Sequence, residues 1–162
     1  MLTLAEAAKD FLAQKRIAVV GALWSSDEPA NLVFRKLRKS GHEVFAVDPH
    51  TAEVEGTTCF PDLRSIPGGV DAVLVATPPT TAAATVRECA ELGITRIWLH
   101  RALGQGSFSD EAVCIARDAQ LTLIPGACPM MFCAPVDLPH KCMRWVLNVA
   151  GRLPKEVEQS VV

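Results

Sequence analysis

A chain of 162 residues with 49% hydrophobic and 21% charged residues has enough apolar material for one folded domain, and too much for a disordered chain. Its formal net charge of −2 gives no overall positive field for nucleic acid or an anionic membrane, and no apolar run approaches the roughly 18 residues of a spanning helix. Met1 to Lys15 lacks a basic start followed by an apolar block, so the chain reads as cytoplasmic and its six cysteines as reduced thiols.

Leu4, Ala7, Ala8, Phe11 and Leu12 recur at helical spacing, which predicts a helix over Thr3 to Gln14 opened by a Thr3–Glu6 capping box. Ile17 to Val20 is a continuous apolar run ending at Gly21, the pattern of a strand buried on both faces. A polar loop follows, and Pro29 or Ala30 opens a helix that ends at Ser40-Gly41. Val44 to Val47 is a second strand stopped by Asp48-Pro49. A short segment around Thr58 to Phe60 and a turn of helix near Leu63 to Ile66 come next. Ala72 to Ala76 is a strand closed by Thr77-Pro78-Pro79, and Thr80 to Leu92 a helix ending at Gly93. Ile97 to Leu99 and Leu121 to Ile124 are further strands, separated by a helical segment over Asp110 to Ala119. This alternation predicts an α/β fold, a doubly wound parallel sheet of about five strands with helices on both faces.

After Pro125 the pattern weakens. Pro135 and Pro139 interrupt helices, and His140 to Ala150 is predicted as a last helix whose Met143, Val146, Leu147 and Ala150 pack on their own domain or on a second copy as a homodimer. Leu153 to Val162 reads as a loose tail.

In such sheets ligands bind beyond the carboxyl ends of the strands, where the strand order reverses. The strand ends here are Gly21 to Ser26, Asp48 to His50, Thr77 to Pro79, His100 to Gly104 and Gly126 to Pro129. The first faces a helix N-terminus, which favours an anion such as a diphosphate. The second and third glycines of the dinucleotide fingerprint are missing after Gly21, and the chain has no P-loop. Asp48 either accepts a ribose hydroxyl or starts a turn with Pro49. No GxSxG or other catalytic constellation is visible. Cys128, Cys133, His140 and Cys142 are zinc-ligand types, but their spacings do not match a structural zinc site. Cys128, at the ligand edge, is the thiol to test for reactivity.

Ile17-Ala18-Val19-Val20-Gly21 leading to Pro29-Ala30-Asn31, Val47-Asp48-Pro49, Val75-Ala76-Thr77-Pro78-Pro79, Trp98-Leu99-His100 with Leu103-Gly104, and Cys128-Pro129-Met130 form an ordered series. This series resembles the small CoA-binding proteins of bacteria, which are similar to the N-terminal CoA-binding domain of the succinyl-CoA synthetase alpha subunit. The resemblance implies a Rossmann-like CoA-binding domain over residues 1–130, with a C-terminal helical extension over 131–162. It implies that Gly21, Ser25 and Ser26 approach the CoA diphosphate, and that Asp48, Pro49 and His50 lie near the adenosine ribose or its phosphate. Thr77, Pro78 and Pro79 would line the adenine or pantetheine side, and His100, Arg101 and Gly104 would flank the pantetheine arm. Ala22, Asn31 and Cys128 complete the candidate cofactor contacts. The expected function is binding of CoA or an acyl-CoA, a small-molecule nucleotide ligand, without evident catalytic machinery. The alternative is an NAD(P)-binding oxidoreductase or redox sensor domain.

Overall fold

The computed structural model describes residues 1–21 and 27–158. In chain order its elements are β1 (Leu2–Thr3), α1 (Leu4–Leu12), β2 (Arg16–Gly21), α2 (Pro29–Lys39), β3 (Glu43–Val47), β4 (Glu53–Val54), β5 (Thr57–Phe60), β6 (Ala72–Ala76), α3 (Pro79–Glu91), β7 (Arg96–Leu99), α4 (Asp110–Asp118), β8 (Thr122–Ile124), a 3-10 turn (Pro129–Met131), α5 (Leu138–Val149) and β9 (Glu156–Val157).

Alternate residues of each buried strand point to opposite faces, so a strand covered on both sides is apolar throughout. Ile17, Val19, Ala72, Leu74, Trp98 and Ile124 face α1 and α2, where Phe11, Val33, Phe34 and Leu37 meet them. Ala18, Val20, Val73, Val75, Ile97 and Leu99 face α3 and α4, against Ala82, Val86, Cys89 and Ala116. Helices therefore cover both faces, as the sequence predicts.

The main sheet has seven strands in the order β4-β5-β3-β2-β6-β7-β8, two more than expected. All neighbours are parallel except β4 and β5. The additional strands are β5, which the sequence marks only as a short segment, and the two-residue β4 hairpinned onto it. From β2 the chain first builds outward through β3 to β5 and β4, then returns to lay β6, β7 and β8 on the other side. The order thus reverses between β2 and β6, where Gly21 is in register with Ala76.

Four local expectations are corrected. Leu63 to Ile66 is a turn, not helix, because Asp62 Oδ1 accepts the Ser65 N–H at 2.8 Å and the Ser65 hydroxyl at 2.6 Å. Pro139 does not stop α5 but sits in its first turn, where no backbone N–H is needed, behind an Asp137 cap that accepts the His140 N–H at 2.9 Å. The tail is not loose through Glu158: β9 pairs antiparallel with β1, and Val157 is buried. Of the expected inner stripe of α5, Leu147 is buried and Met143 packs half-buried beside it, whereas Val146 and Ala150 are exposed.

Candidate functional site

Because the main strands run parallel, their carboxyl ends share one edge, and the crevice at β2 and β6 is flanked by the N-termini of α2 and α3. Helices elsewhere carry side-chain caps: Thr3 caps α1, Ser109 caps α4 and Asp137 caps α5. The two helices at the crevice have none. Each has a proline in its first turn, no capping side-chain bond and no acidic residue in that turn. The positive ends of their dipoles thus face the crevice with no carboxylate in their own first turns, which favours an anion there.

Gly21 is required here by packing. A Cβ on it would stand 2.8 Å from the Ala76 carbonyl oxygen and 3.1 Å from the Ala30 Cβ, so glycine lets β2, β6 and α2 close together. Asn31 is buried in the first turn of α2. Beyond β6, the Thr77 Oγ1 is buried and finds no hydrogen-bond partner among the described residues. A buried hydroxyl without a partner is costly, and this one lies where the strand order reverses.

Asp48 is 2% exposed and its Oδ1 accepts the His50 N–H at 2.9 Å, so it forms the turn that presents Pro49 and His50 to solvent. The NAD(P) reading needs a carboxylate for a ribose; here one Asp48 oxygen already holds the turn. On the other side of β2, the His100 N–H donates to the Val75 carbonyl at 2.8 Å and the Arg101 N–H to the Ala127 carbonyl at 3.0 Å, tying these residues to neighbouring strand ends. His100 is 8% exposed, and burial pushes its imidazole down to about 4, so it is neutral at pH 7. Arg101 Nε donates to the Gly104 carbonyl at 2.7 Å, across a turn that Gly104 enters at φ +88°.

The structure therefore sets Gly21, Thr77, His100, Arg101 and Cys128 along successive strand ends, with Asp48, Pro49 and His50 on the far side of β2. Ala22, Ser25 and Ser26 lie outside the described residues. Sequence reasoning missed Gly106 and Ser107. A Cβ on Gly106 would run into the His100 carbonyl oxygen and stand 2.8 Å from the Arg101 Cα, while the Ser107 N–H donates to that carbonyl at 2.8 Å. This contact folds the loop back over His100, and no local motif announces it. The start of α2 was legible at Pro29, and α3 begins at Pro79, one residue before the expected Thr80.

Cys128 is buried, and burial pushes its thiol up to about 11, so it is protonated at neutral pH. Only Cys114 and Cys142 are exposed. A disulfide reagent applied to the native protein is expected to modify these two quickly and the other four only on unfolding; fast modification of Cys128 would contradict its placement. Among the described residues no three His, Cys, Asp or Glu side chains come together as a metal site. None of the described helices is long and apolar enough to cross a membrane.

The fold and this edge define a doubly wound, Rossmann-like α/β domain with an open crevice at its switch point. Residues 15–134 match the CoA binding domain family, CoA_binding_2, and the chain belongs to that family. Acetate–CoA ligase [ADP-forming] I of Archaeoglobus fulgidus is 32% identical over 75 residues, covering 46% of this chain and 11% of the ligase. The alpha subunit of acetate–CoA ligase [ADP-forming] II of Pyrococcus furiosus is 33% identical over 88 residues, covering 52% of this chain and 19% of that subunit. The chain thus spans only a tenth to a fifth of these relatives. Among solved structures, a hypothetical protein from Pyrococcus horikoshii OT3 superposes with a TM-score of 0.74 at 26% identity, covering 82% of this chain and 91% of that one. A match to a CoA binding domain leaves the NAD(P) alternative without support.

Proposed function

We propose that this chain is a cytoplasmic binding module for coenzyme A or an acyl-CoA, held along the carboxyl edge of the sheet. The observation that carries this reading is the family match over residues 15–134 on a domain whose two crevice helices start uncapped. CoA supplies a diphosphate and a thiol that carries an acyl group. The diphosphate would sit at the positive ends of α2 and α3, with Gly21, Ala22, Ser25, Ser26 and Asn31 around it. The Thr77 hydroxyl, buried without a partner among the described residues, would gain one from the ligand. Pro78 and Pro79 hold the start of α3 rigid beside it. Asp48, Pro49 and His50 would meet the adenosine end. The neutral His100 would donate or accept a hydrogen bond beside the pantetheine arm, with Arg101, Gly104 and Cys128 flanking it.

Calorimetric titration of ligand-free protein with CoA, dephospho-CoA, NAD and NADP tests the reading. Saturable binding of CoA without binding of NAD or NADP is expected, and preference for NAD would overturn it. Thr77→Val sharpens the test, because it removes the hydroxyl and keeps the shape. Its CoA affinity should fall about fivefold, in line with a lost hydrogen bond of roughly 1 kcal/mol, while the ligand-free protein keeps or gains stability. Unchanged affinity would remove Thr77 from the site.

A further inference from the structure

The arginines of this chain are answered unevenly. Arg16, Arg35, Arg64, Arg87, Arg96 and Arg117 each have a carboxylate within 3.5 Å. Among the described residues, Arg38, Arg101, Arg144 and Arg152 form no such pair. Three of these four line two adjoining clefts, of 620 and 540 Å³, that share Gly151 and Leu153. Lys141 and Lys155 line the larger one too, and no carboxylate lines either. In a chain of net charge −2, this is a local concentration of positive charge without counter-charge.

The larger cleft lies between the first turn of α1 and α5. Its apolar surface comes from the half-buried Phe132, Val136 and Leu153, with the buried Leu4 and Met131 behind them. Trp145, 68% exposed, contributes an aromatic wall. The Arg144 guanidinium stacks 4.3 Å from the centre of the Phe132 ring, which fixes the planar group over the apolar floor. Nearby carboxylates are engaged elsewhere: Glu6 accepts the Thr3 N–H at 2.8 Å and its hydroxyl at 2.7 Å, and Asp137 holds the His140 ring at 2.6 Å. With α1 closed by its capping box, no free helix start offers a phosphate cradle, and a single stacked guanidinium with two separated ammonium groups suits a carboxylate.

From this geometry we infer that the α1–α5 cleft binds an amphiphilic carboxylate, a small molecule with an unbranched apolar body of medium length and one terminal carboxyl group. The body lies along Phe132, Val136, Leu153 and Trp145, and the carboxylate meets Arg144 with Lys141 and Lys155 at the rim. This cleft adjoins the one lined by Arg101 and Gly104 at the carboxyl edge, but its own lining includes none of the proposed CoA contacts, so the inference stands whether or not that edge takes CoA.

Trp145 is the reporter, since the other described tryptophan, Trp98, is fully buried. Intrinsic fluorescence is followed while the full chain is titrated with decanoate, decan-1-ol or acetate. Decanoate should give a saturable blue shift that is lost in Trp145→Phe. Decanol, which lacks the charge, and acetate, which lacks the chain, should bind at least tenfold more weakly. Arg144→Gln should weaken decanoate about five- to tenfold. The Lys141→Gln/Lys155→Gln double variant, whose native side chains make no hydrogen bond or ion pair among the described residues, should weaken it several-fold and reduce its salt dependence. Equal binding of decanol and decanoate, a shift that persists in Trp145→Phe, or unchanged affinity in both charge variants would overturn the inference.

Discussion

Trp98→Ala is expected to destabilise the fold by about 3–5 kcal/mol, lowering the thermal midpoint by about 6–20 °C. Trp98 is fully buried at the middle of β7. Its indole meets the Phe11 ring edge-to-face at 5.3 Å and the Phe132 ring at 5.8 Å. One ring thus joins the central sheet to both α1 and the segment before α5, and its removal leaves a cavity that three elements would have to close. The indole N–H also donates to the carbonyls of Gly126 at 2.8 Å and Ala127 at 3.1 Å. Ala127 is held at φ +70°, in the left-handed region that a residue with a Cβ avoids, and the indole bond helps keep it there. Trp98→Phe keeps most of the ring and loses that bond, so it should cost less, about 1–3 kcal/mol. Urea unfolding of the two variants separates packing from hydrogen bonding. Equal losses would mean that the indole N–H carries the whole effect.

Acidification should weaken the fold through His100, by up to about 3 kcal/mol. Burial holds its folded-state value at about 4, whereas the unfolded chain titrates near the ordinary histidine value of about 6.5. Between these two limits the unfolded state binds a proton that the folded state refuses, so stability rises with pH across this window. The contribution is complete above about pH 6.5 and is lost as pH falls toward 4. His100→Phe should flatten this part of the stability profile, as followed by the urea midpoint at successive pH values. A profile identical to that of the parent would show that His100 is not buried as described. The same proton bears on ligand binding: a neutral ring at pH 7 acts as a hydrogen-bond partner without adding charge to the crevice.

Much of the sheet was legible because its strands are continuous apolar runs bounded by glycine or proline. Ala72–Ala76 matches its predicted span to the residue, and the Thr3–Glu6 capping box is formed as read, since both depend on neighbours in sequence. The elements that escaped notice depend on distant partners. Glu53–Val54 and Glu156–Val157 are two-residue strands with one charged residue each. They acquire their conformation from Thr57–Thr58 and from Leu2–Thr3, pairings that no local period encodes. α5 was placed nearly correctly, and Leu147 and Met143 of its expected stripe do pack inward. Leu138, Cys142, Trp145 and Val149 form an exposed stripe opposite Leu147.

At the site, chain position alone was enough to select Gly21, Thr77 and His100, because strand ends of a parallel sheet share an edge. It could not reveal that Gly21 is held by contact with Ala76 and Ala30, that Thr77 keeps a buried hydroxyl without a partner among the described residues, or that burial makes His100 neutral. Those properties arise from what the crossover helices bring against the strand ends.

The central claim is that CoA occupies the carboxyl edge of the sheet at the β2–β6 crevice, and amide chemical-shift mapping of the isotope-labelled protein during a CoA titration addresses it directly. The account predicts saturable shifts at Ala30, Asn31, Thr77, Thr80 and His100, with Arg16, Glu43, Asp71 and Arg96 at the opposite edge unmoved. Shifts confined to the opposite edge, or none at saturating CoA, would contradict it.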